Sequence, residues 1–174
     1  MSRAHNIRFT GSFQSRDDAA ASLKTTGDAA LVERGSPRML LLSCPCGCGD
    51  ILVLNLDKRA GPAWRMYQKG KTISLFPSYW RDSKCAAHFI VWSNNVHWCD
   101  WEDEGLWTTA SVIQERVHRA LPDYFVKYEQ LAEQLGEIPW EVLVACHALV
   151  RKGEAMANQP RSTGEFRRAK PSCG

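Results

Sequence analysis

The stretch SCPCGCGD, residues 43–50, places three cysteines at alternate positions and decides how the rest of the chain is interpreted. Three thiols this close cannot easily serve three separate disulfides, and the total of seven cysteines is an odd number. The first residues contain no apolar run like a signal peptide, and no segment approaches the roughly 20 apolar residues of a membrane span. We therefore expect a cytoplasmic chain with reduced thiols, in which clustered cysteines favour a metal site.

Tetrahedral zinc requires four nitrogen or sulfur ligands, and the cysteines of 43–50 supply at most three of them. The later stretch SKCAAHF offers two further candidates, Cys85 and His88. We expect a structural Zn²⁺ bound by four thiols: Cys44, Cys46, Cys48 and Cys85. One alternative set replaces an early cysteine by His88, and another interpretation is a group of buried thiols without a metal. A site filled by four thiolates has no open coordination position, so its zinc is structural.

Apolar segments flank the cysteine stretch on both sides. The residues before it, DAALVERGSPRMLLLSC, predict two strands around a turn at 35–37, and DILVLNL at 50–56 predicts a buried strand leaving the cluster. Two more hairpins are predicted, one turning at Lys69-Gly70 and one at Asn94-Asn95, a pair suited to positive φ. Residues 29–101 therefore read as an antiparallel β unit.

The pattern becomes helical after the acidic stretch EDEG. Apolar spacing predicts three helices up to Gly153, in a rhythm that resembles a winged helix-turn-helix. The last segment, 157–174, is polar and basic and is expected to be disordered. We predict an α+β fold, with a zinc-stabilised antiparallel β domain over 1–105 and a small helical, helix-turn-helix-like region over 106–156.

Ser78 follows a predicted strand and Pro77, where the chain has to turn. A nucleophilic serine needs an exposed hydroxyl and a base within hydrogen-bond reach. His88 begins the next strand, close in sequence to Cys85, and His97 is the alternative base. The competing interpretation is a surface serine and a histidine with an ordinary structural role. Three carboxylates are candidates for orienting the base: Asp82, Asp100 and Glu102.

The motifs CPCGCG, ISLFPSYW, CAAHF and NNVHW follow one another within residues 29–101, with Trp64 after the first. In this combination the chain resembles a bacterial family of zinc-binding, serine-peptidase-like proteins encoded beside ubiquitin-like modifiers and their conjugation enzymes. The resemblance implies that Ser78 is the nucleophile, that His88 is the base and that the four thiols bind zinc. It also implies a ubiquitin-like modifier, or its conjugates, as partner.

Three functions are consistent with these features. The first is a serine hydrolase that cleaves at the C-terminus of a ubiquitin-like modifier, with an oxyanion hole from backbone amides near 79–81. The second is a non-catalytic zinc adaptor that docks a modifier or a conjugation enzyme through a Trp-rich face. The third is a DNA-binding regulator, which charge disfavours because residues 108–160 contain five Lys/Arg against seven Asp/Glu. Neither nucleic acid nor a membrane is expected as partner.

Overall fold

Strands dominate the first part of the chain and helices the second, which confirms the predicted α+β class. The computed structural model describes residues 3–99, 109–159 and 163–170. Packing divides the chain into two units, residues 1–103 and 104–174. Over the described residues, the first unit contains nine strands, one α-helix and one 3₁₀-helix, and the second contains three α-helices and three strands.

The cysteine stretch is the loop of a hairpin, as predicted. β3 (Pro37–Ser43) and β4 (Ile51–Asn55) pair antiparallel on either side of it. β2 (Asp28–Glu33) pairs antiparallel with the other edge of β3, so the predicted turn at 35–37 is confirmed to within a residue. The hairpin therefore carries its three cysteines away from a sheet whose interior strands are apolar.

The sheet is not antiparallel throughout. β1 (Arg8–Phe13) pairs parallel with β2, because α1 (Arg16–Ser22) crosses between them and returns the chain in the same direction. The sheet order is β1-β2-β3-β4. The predicted burial of the strand at 50–56 is also wrong for one face, since Ile51 and Val53 are 44% and 40% exposed. This strand lies at the edge of the sheet, and its apolar residues alternate between core and solvent.

The second predicted hairpin is formed by β5 (Arg65–Lys69) and β6 (Thr72–Phe76), which turn at residues 70–71. β6 buries Ile73 and Leu75 in the main core of the first unit, together with residues of β2, β3 and β4. This packing fixes the end of β6, where the chain leaves toward Ser78.

A third sheet has the order β7-β8-β9 and is antiparallel. Its strands are β7 (Tyr79–Trp80), β8 (His88–Trp92) and β9 (Asn95–Trp98). The tight turn between the last two strands has positive φ at Ser93 and Asn94, one residue earlier than the predicted pair. Phe89 of β8 is fully buried, so one face of this sheet joins the main core and the other face carries His88.

The first described residues complete this unit. The Ala4 amide donates to the Pro45 carbonyl of the cysteine hairpin over 2.7 Å. The neighbouring His5 carbonyl accepts from the Val96 amide of β9 over 2.8 Å. One short segment thus bridges two hairpins that are about fifty residues apart in sequence.

Asp28 is a buried carboxylate at the start of β2. It accepts hydrogen bonds from the Arg8 guanidinium at 2.9 Å, from the Thr25 hydroxyl at 3.1 Å and from the Lys24 and Thr25 amides at 2.8 Å. Burial opposes its ionisation, but these hydrogen bonds lower the pKa of Asp28 to about 2. Asp28 therefore fastens the loop before β2 to β1 as an ionised group.

The second unit contains the three predicted helices, α2 (Ser111–Ala120), α3 (Tyr128–Leu135) and α4 (Pro139–Arg151). Short strands accompany them, starting with β10 (Val126–Lys127), which directly precedes α3. No described helix is long and apolar enough to cross a membrane. The element order is compatible with a winged helix-turn-helix, which stays a prediction.

The predicted disorder of 157–174 is wrong for the part that the structure describes. β12 (Glu165–Arg168) pairs antiparallel with both β10 and β11 (Ala155–Ala157). Phe166 of β12 is 2% exposed and packs in the core of this unit. A single buried aromatic residue and two neighbouring strands order this segment. Because its other side chains are mostly polar, the sequence gives no apolar pattern that would predict a strand.

Candidate active site and cysteine cluster

The four predicted thiols converge at one corner of the first unit. All four Sγ atoms lie within 4.8 Å of one another, and they are those of Cys44, Cys46, Cys48 and Cys85. The Sγ atom of Cys44 is 3.3 Å from that of Cys46 and 3.9 Å from that of Cys85. Tetrahedral zinc with Zn–S bonds of about 2.3 Å separates its sulfurs by about 3.8 Å. The donor set and its spacing are therefore compatible with zinc binding, and His88 does not belong to this group.

Local backbone geometry brings the hairpin thiols together. The Cys44 amide donates to the Asp50 carbonyl at 2.9 Å, and the Gly47 amide donates to the Cys44 carbonyl at 3.0 Å. Gly47 and Gly49 both have a φ of +83°, a conformation that side chains with a Cβ rarely adopt. One glycine between Cys46 and Cys48 and one directly after Cys48 thus allow three thiols to face one point.

Protonation of these thiols depends on their burial. Cys44 is 1% exposed, and burial raises its pKa and that of Cys46. Burial acts in the same direction on Cys85, but hydrogen bonds from the Ala87 amide and the other thiols lower the pKa of Cys85 to about 7. A cation at the centre of the cluster would favour the thiolate form of all of them.

The loop 81–87 carries Cys85 and is fastened to the cysteine hairpin by an ion-pair cluster. Asp50 Oδ2 accepts from Arg81 Nη1 at 2.8 Å and from Lys84 Nζ at 3.1 Å. Hydrogen bonds from Lys84 and Arg81 lower the pKa of Asp50. We call the hairpin loop 44–50 and the loop 81–87 together the cysteine corner. Asp50 was missed by sequence analysis, and its position directly after the CGCG stretch is the only signal that could have indicated it.

Ser78 and His88 lie next to this corner. Ser78 stands between β6 and β7, directly after the cis peptide bond of Phe76-Pro77, and His88 is the first residue of β8. The Ser78 Oγ atom is 3.4 Å from the Nε2 atom of His88, and both residues are half-buried. This distance is at the long end of hydrogen bonding, as is common for a serine–histidine pair without substrate.

Aromatic packing holds β7 and thereby the backbone that follows Ser78. The Tyr79 ring is 5.3 Å from the Phe89 ring and 6.0 Å from the Trp64 ring, measured between centroids. Tyr79 packs against the core cluster, whereas the Trp80 side chain points to the opposite face. Trp64, known from the sequence only as a motif residue, thus supports the position of Tyr79.

The alternative base His97 and the carboxylate of Asp82 are less well placed than His88. His97 lies one strand further, opposite Ile90, with its ring 5.9 Å from that of Trp92. Asp82 is exposed in the loop 81–87, and Asp100 and Glu102 lie outside the described residues. Within the described part of the chain, no carboxylate hydrogen-bonds to His88.

The predicted oxyanion donors, the amides of 79–81, are not equivalent. The Arg81 amide donates to the Ala87 carbonyl at 3.0 Å, and Tyr79 pairs with Phe89 in the ladder to β8. Because amides alternate in direction along a strand, the Trp80 amide points away from β8. Of the three amides, only that of Trp80 therefore faces away from β8, and an oxyanion hole at 79–81 stays a prediction.

The first unit contains a cavity that does not include the serine. It measures about 560 Å³ and opens beside Trp64, between β5 and the segment after β4. Neither Ser78 nor His88 lines it.

Comparison with known proteins gives one match. Residues 15–99 match the family model described as bacterial ubiquitination-like system serine protease (BubE). The match contains the four thiols, Ser78 and His88, and it confirms the resemblance drawn from the sequence. No curated protein and no solved structure matches the chain.

Proposed function

Because residues 15–99 match a family of serine proteases from bacterial ubiquitination-like systems, we propose that this chain is a zinc-stabilised serine hydrolase. It cleaves the bond that follows the C-terminal residue of a ubiquitin-like modifier, in processing of a precursor or in removal from a target. Ser78 is the nucleophile and His88 is the general base. The distance of 3.4 Å between Ser78 Oγ and His88 Nε2 is the observation that carries this proposal.

The reaction needs only groups of this chain and water. The Ser78 Oγ attacks the carbonyl carbon of the last modifier residue while its proton passes to His88 Nε2. The bond to the leaving amine or alcohol breaks, and the leaving group takes that proton from His88. Water then attacks the acyl-enzyme, again with its proton going to His88, and the free modifier carboxylate leaves as Ser78 recovers its proton. His88 must therefore be neutral at the start, with its hydrogen on Nδ1.

The cysteine cluster supports this chemistry at a distance. When bound, zinc would join the hairpin loop to the loop 81–87 and, with four thiolate ligands, would offer no coordination position to a substrate. Cys85 lies three residues before His88, so a fixed Cys85 limits the movement of the base. Asp50 supplies a second link across the same corner through Arg81 and Lys84.

The proposal is tested with a fluorophosphonate probe and a protein substrate. The substrate is a ubiquitin-like protein from the same genome, fused through its C-terminus to a fluorescent protein. Wild type should be labelled at Ser78 and should cleave the fusion, whereas Ser78→Ala should lose both activities, with cleavage falling about 10³-fold or more. Ser83→Ala is the matched control, because Ser83 is exposed in the neighbouring loop. Zinc content and melting temperature should be unchanged in both variants.

Two outcomes would contradict the serine mechanism. One is wild-type cleavage by Ser78→Ala, and the other is probe labelling that does not depend on Ser78. Binding of the fusion by the wild type without any cleavage or labelling would instead favour the zinc adaptor. Metal analysis of His88→Gln distinguishes a general base from a zinc ligand. If His88 is the base, the variant keeps its full zinc content, and if His88 is a ligand, the zinc content falls.

A further inference from the structure

β7 presents an unpaired strand edge directly beside the proposed nucleophile. Within the described residues this strand pairs only with β8. The Arg81 amide and the residue pair Tyr79–Phe89 use the groups that face β8, so the amide and carbonyl of Trp80 face the other way. Neither group of Trp80 has a hydrogen-bond partner in the described part of the chain. Exposed edges of this kind readily accept another strand.

The side chain of Trp80 marks the same edge. At 72%, it is the most exposed large hydrophobic side chain among the described residues. Its ring centroid lies 6.0 Å from that of His88, and it projects to the same face of the strand as Ser78, two residues earlier. A large indole held at the surface next to the base is a ready contact for a substrate side chain.

Resting on the proposed function, we propose that the acyl segment of the substrate binds as an added antiparallel strand on the free edge of β7. The third residue before the scissile bond pairs with Trp80, donating its amide to the Trp80 carbonyl and accepting from the Trp80 amide. The substrate is therefore an extended chain whose backbone is recognised there, with an apolar side chain at this third position against the Trp80 indole.

The direction of the substrate strand follows from the residues that precede Ser78. An antiparallel strand runs from Trp80 toward Ser78, and residues two apart along it are separated by about 6.8 Å, as Trp80 and Ser78 are. Its scissile carbonyl then arrives beside the Ser78 Oγ. A parallel strand would need partners before Ser78, where Pro77 has no amide hydrogen and Phe76 is paired with Arg65 of β5.

The same register supplies a donor for the developing oxyanion. The Ser78 amide lies two residues before that of Trp80 on the same edge and donates no hydrogen bond within the described residues. With the third residue paired to Trp80, the scissile carbonyl oxygen comes opposite the Ser78 amide. Binding and oxyanion stabilisation thus use alternate amides of one strand edge.

Backbone methylation of the substrate tests this register. The probe is a ubiquitin-like protein from the same genome that ends in a fluorogenic aminocoumarin amide, assembled by ligation so that one tail amide is N-methylated. Methylation of the third residue before the scissile bond should lower kcat/KM about 10- to 100-fold, because it removes a desolvated hydrogen bond. Methylation of the second residue, whose amide points away from β7, should change it less than about threefold. Equal losses at both positions, or a larger loss at the second, would overturn the proposal.

Substitution of the indole tests the side-chain contact. Trp80→Ala should lower kcat/KM for the unmethylated probe about tenfold, mainly through KM. Tyr124→Ala, which removes an aromatic side chain that is 67% exposed in the second unit, should leave it unchanged. Equal kinetics for Trp80→Ala and Tyr124→Ala would contradict this contact. Two further outcomes distinguish the strand pairing from the proposed function. If Ser78 is labelled by the fluorophosphonate and the unmethylated probe is turned over, but the two methylated positions behave alike, the strand pairing alone is overturned. If neither labelling nor turnover occurs, the proposed function is overturned.

Discussion

The cysteine corner and the sheet formed by β10, β11 and β12 order two segments that contain few apolar residues. In the corner, thiols, two positive-φ glycines and the ion pairs of Asp50 hold loops that are partly exposed. In the sheet, β12 is held by backbone pairing and by one buried aromatic side chain, Phe166. Thiols and ion pairs thus order one region, and burial of an apolar ring orders the other. We therefore expect substitutions in the two regions to change stability for different reasons.

The strongest test of the difference is the substitution of an exposed thiol. Cys48 is exposed, and the substitution of an exposed residue without a special role should change the free energy of unfolding by about 0.5 kcal/mol or less. As a zinc ligand, Cys48→Ser should instead deplete the zinc and cost several kcal/mol, because zinc binding contributes on the order of 10 kcal/mol to folding. Metal analysis and hydrogen exchange over 40–90 measure the effect, with Cys99→Ser as control. Full zinc content and wild-type stability of Cys48→Ser would show that the corner is not held by metal.

In the second region the largest effect should come from a buried ring. Phe166→Ala should lower the free energy of unfolding by about 3–5 kcal/mol, because it removes a fully buried aromatic side chain and leaves a cavity. Its zinc content should equal that of the wild type. Denaturant unfolding provides the measurement, with Met156→Ala as control, since Met156 is 45% exposed on the neighbouring strand. A loss below about 1 kcal/mol would mean that β12 is not anchored by this ring.

Asp28 combines the two principles, since it is a buried group held by polar partners. Its pKa of about 2 lies below the ordinary 3.8, so its ionised form stabilises the fold above pH 3.8, and this contribution is lost as pH falls through about 2. The shift corresponds to about 2 kcal/mol. Asp28→Asn should therefore reduce stability near neutral pH by at least this amount and flatten the acid dependence between pH 4 and 2. Chemical denaturation at several pH values measures it, and an unchanged acid profile would exclude Asp28 as its source.

The smallest effect on stability should come from the ion pairs of the corner. Asp50→Asn weakens two hydrogen bonds at a partly exposed site, and surface ion pairs contribute little to stability, so the melting temperature should stay close to that of the wild type. If Asp50 positions the loop 81–87 and thereby His88, which follows this loop, kcat should fall while KM and zinc content stay near their wild-type values. Steady-state cleavage of the modifier fusion separates these quantities, with Asp17→Asn on α1 as a control. A change in KM alone would assign Asp50 to substrate binding.

The cysteine corner and the neighbouring serine and histidine could be predicted because they consist of residue types with few possible roles. Alternate cysteines, a serine after a strand and a histidine near Cys85 each restrict what the chain can do locally. Asp50 and β12 carry no such restriction, because an aspartate after glycine is common and the sequence EFRR has one apolar residue. The parallel pairing of β1 was also missed, since strand direction depends on where α1 returns the chain and not on any property of β1 itself.

The bridge formed by Ala4 and His5 has a consequence for synthesis on the ribosome. Residues 4–5 are translated about ninety residues before their partner Val96. At roughly 5–20 residues per second, this segment waits several seconds before its pairing partner leaves the exit tunnel. During that interval the thiols of 44–48 have already been translated while Cys85 has not. We expect the nascent chain to hold an incomplete set of thiols until Cys85 has been translated, and we expect metal capture to coincide with closure of the first unit.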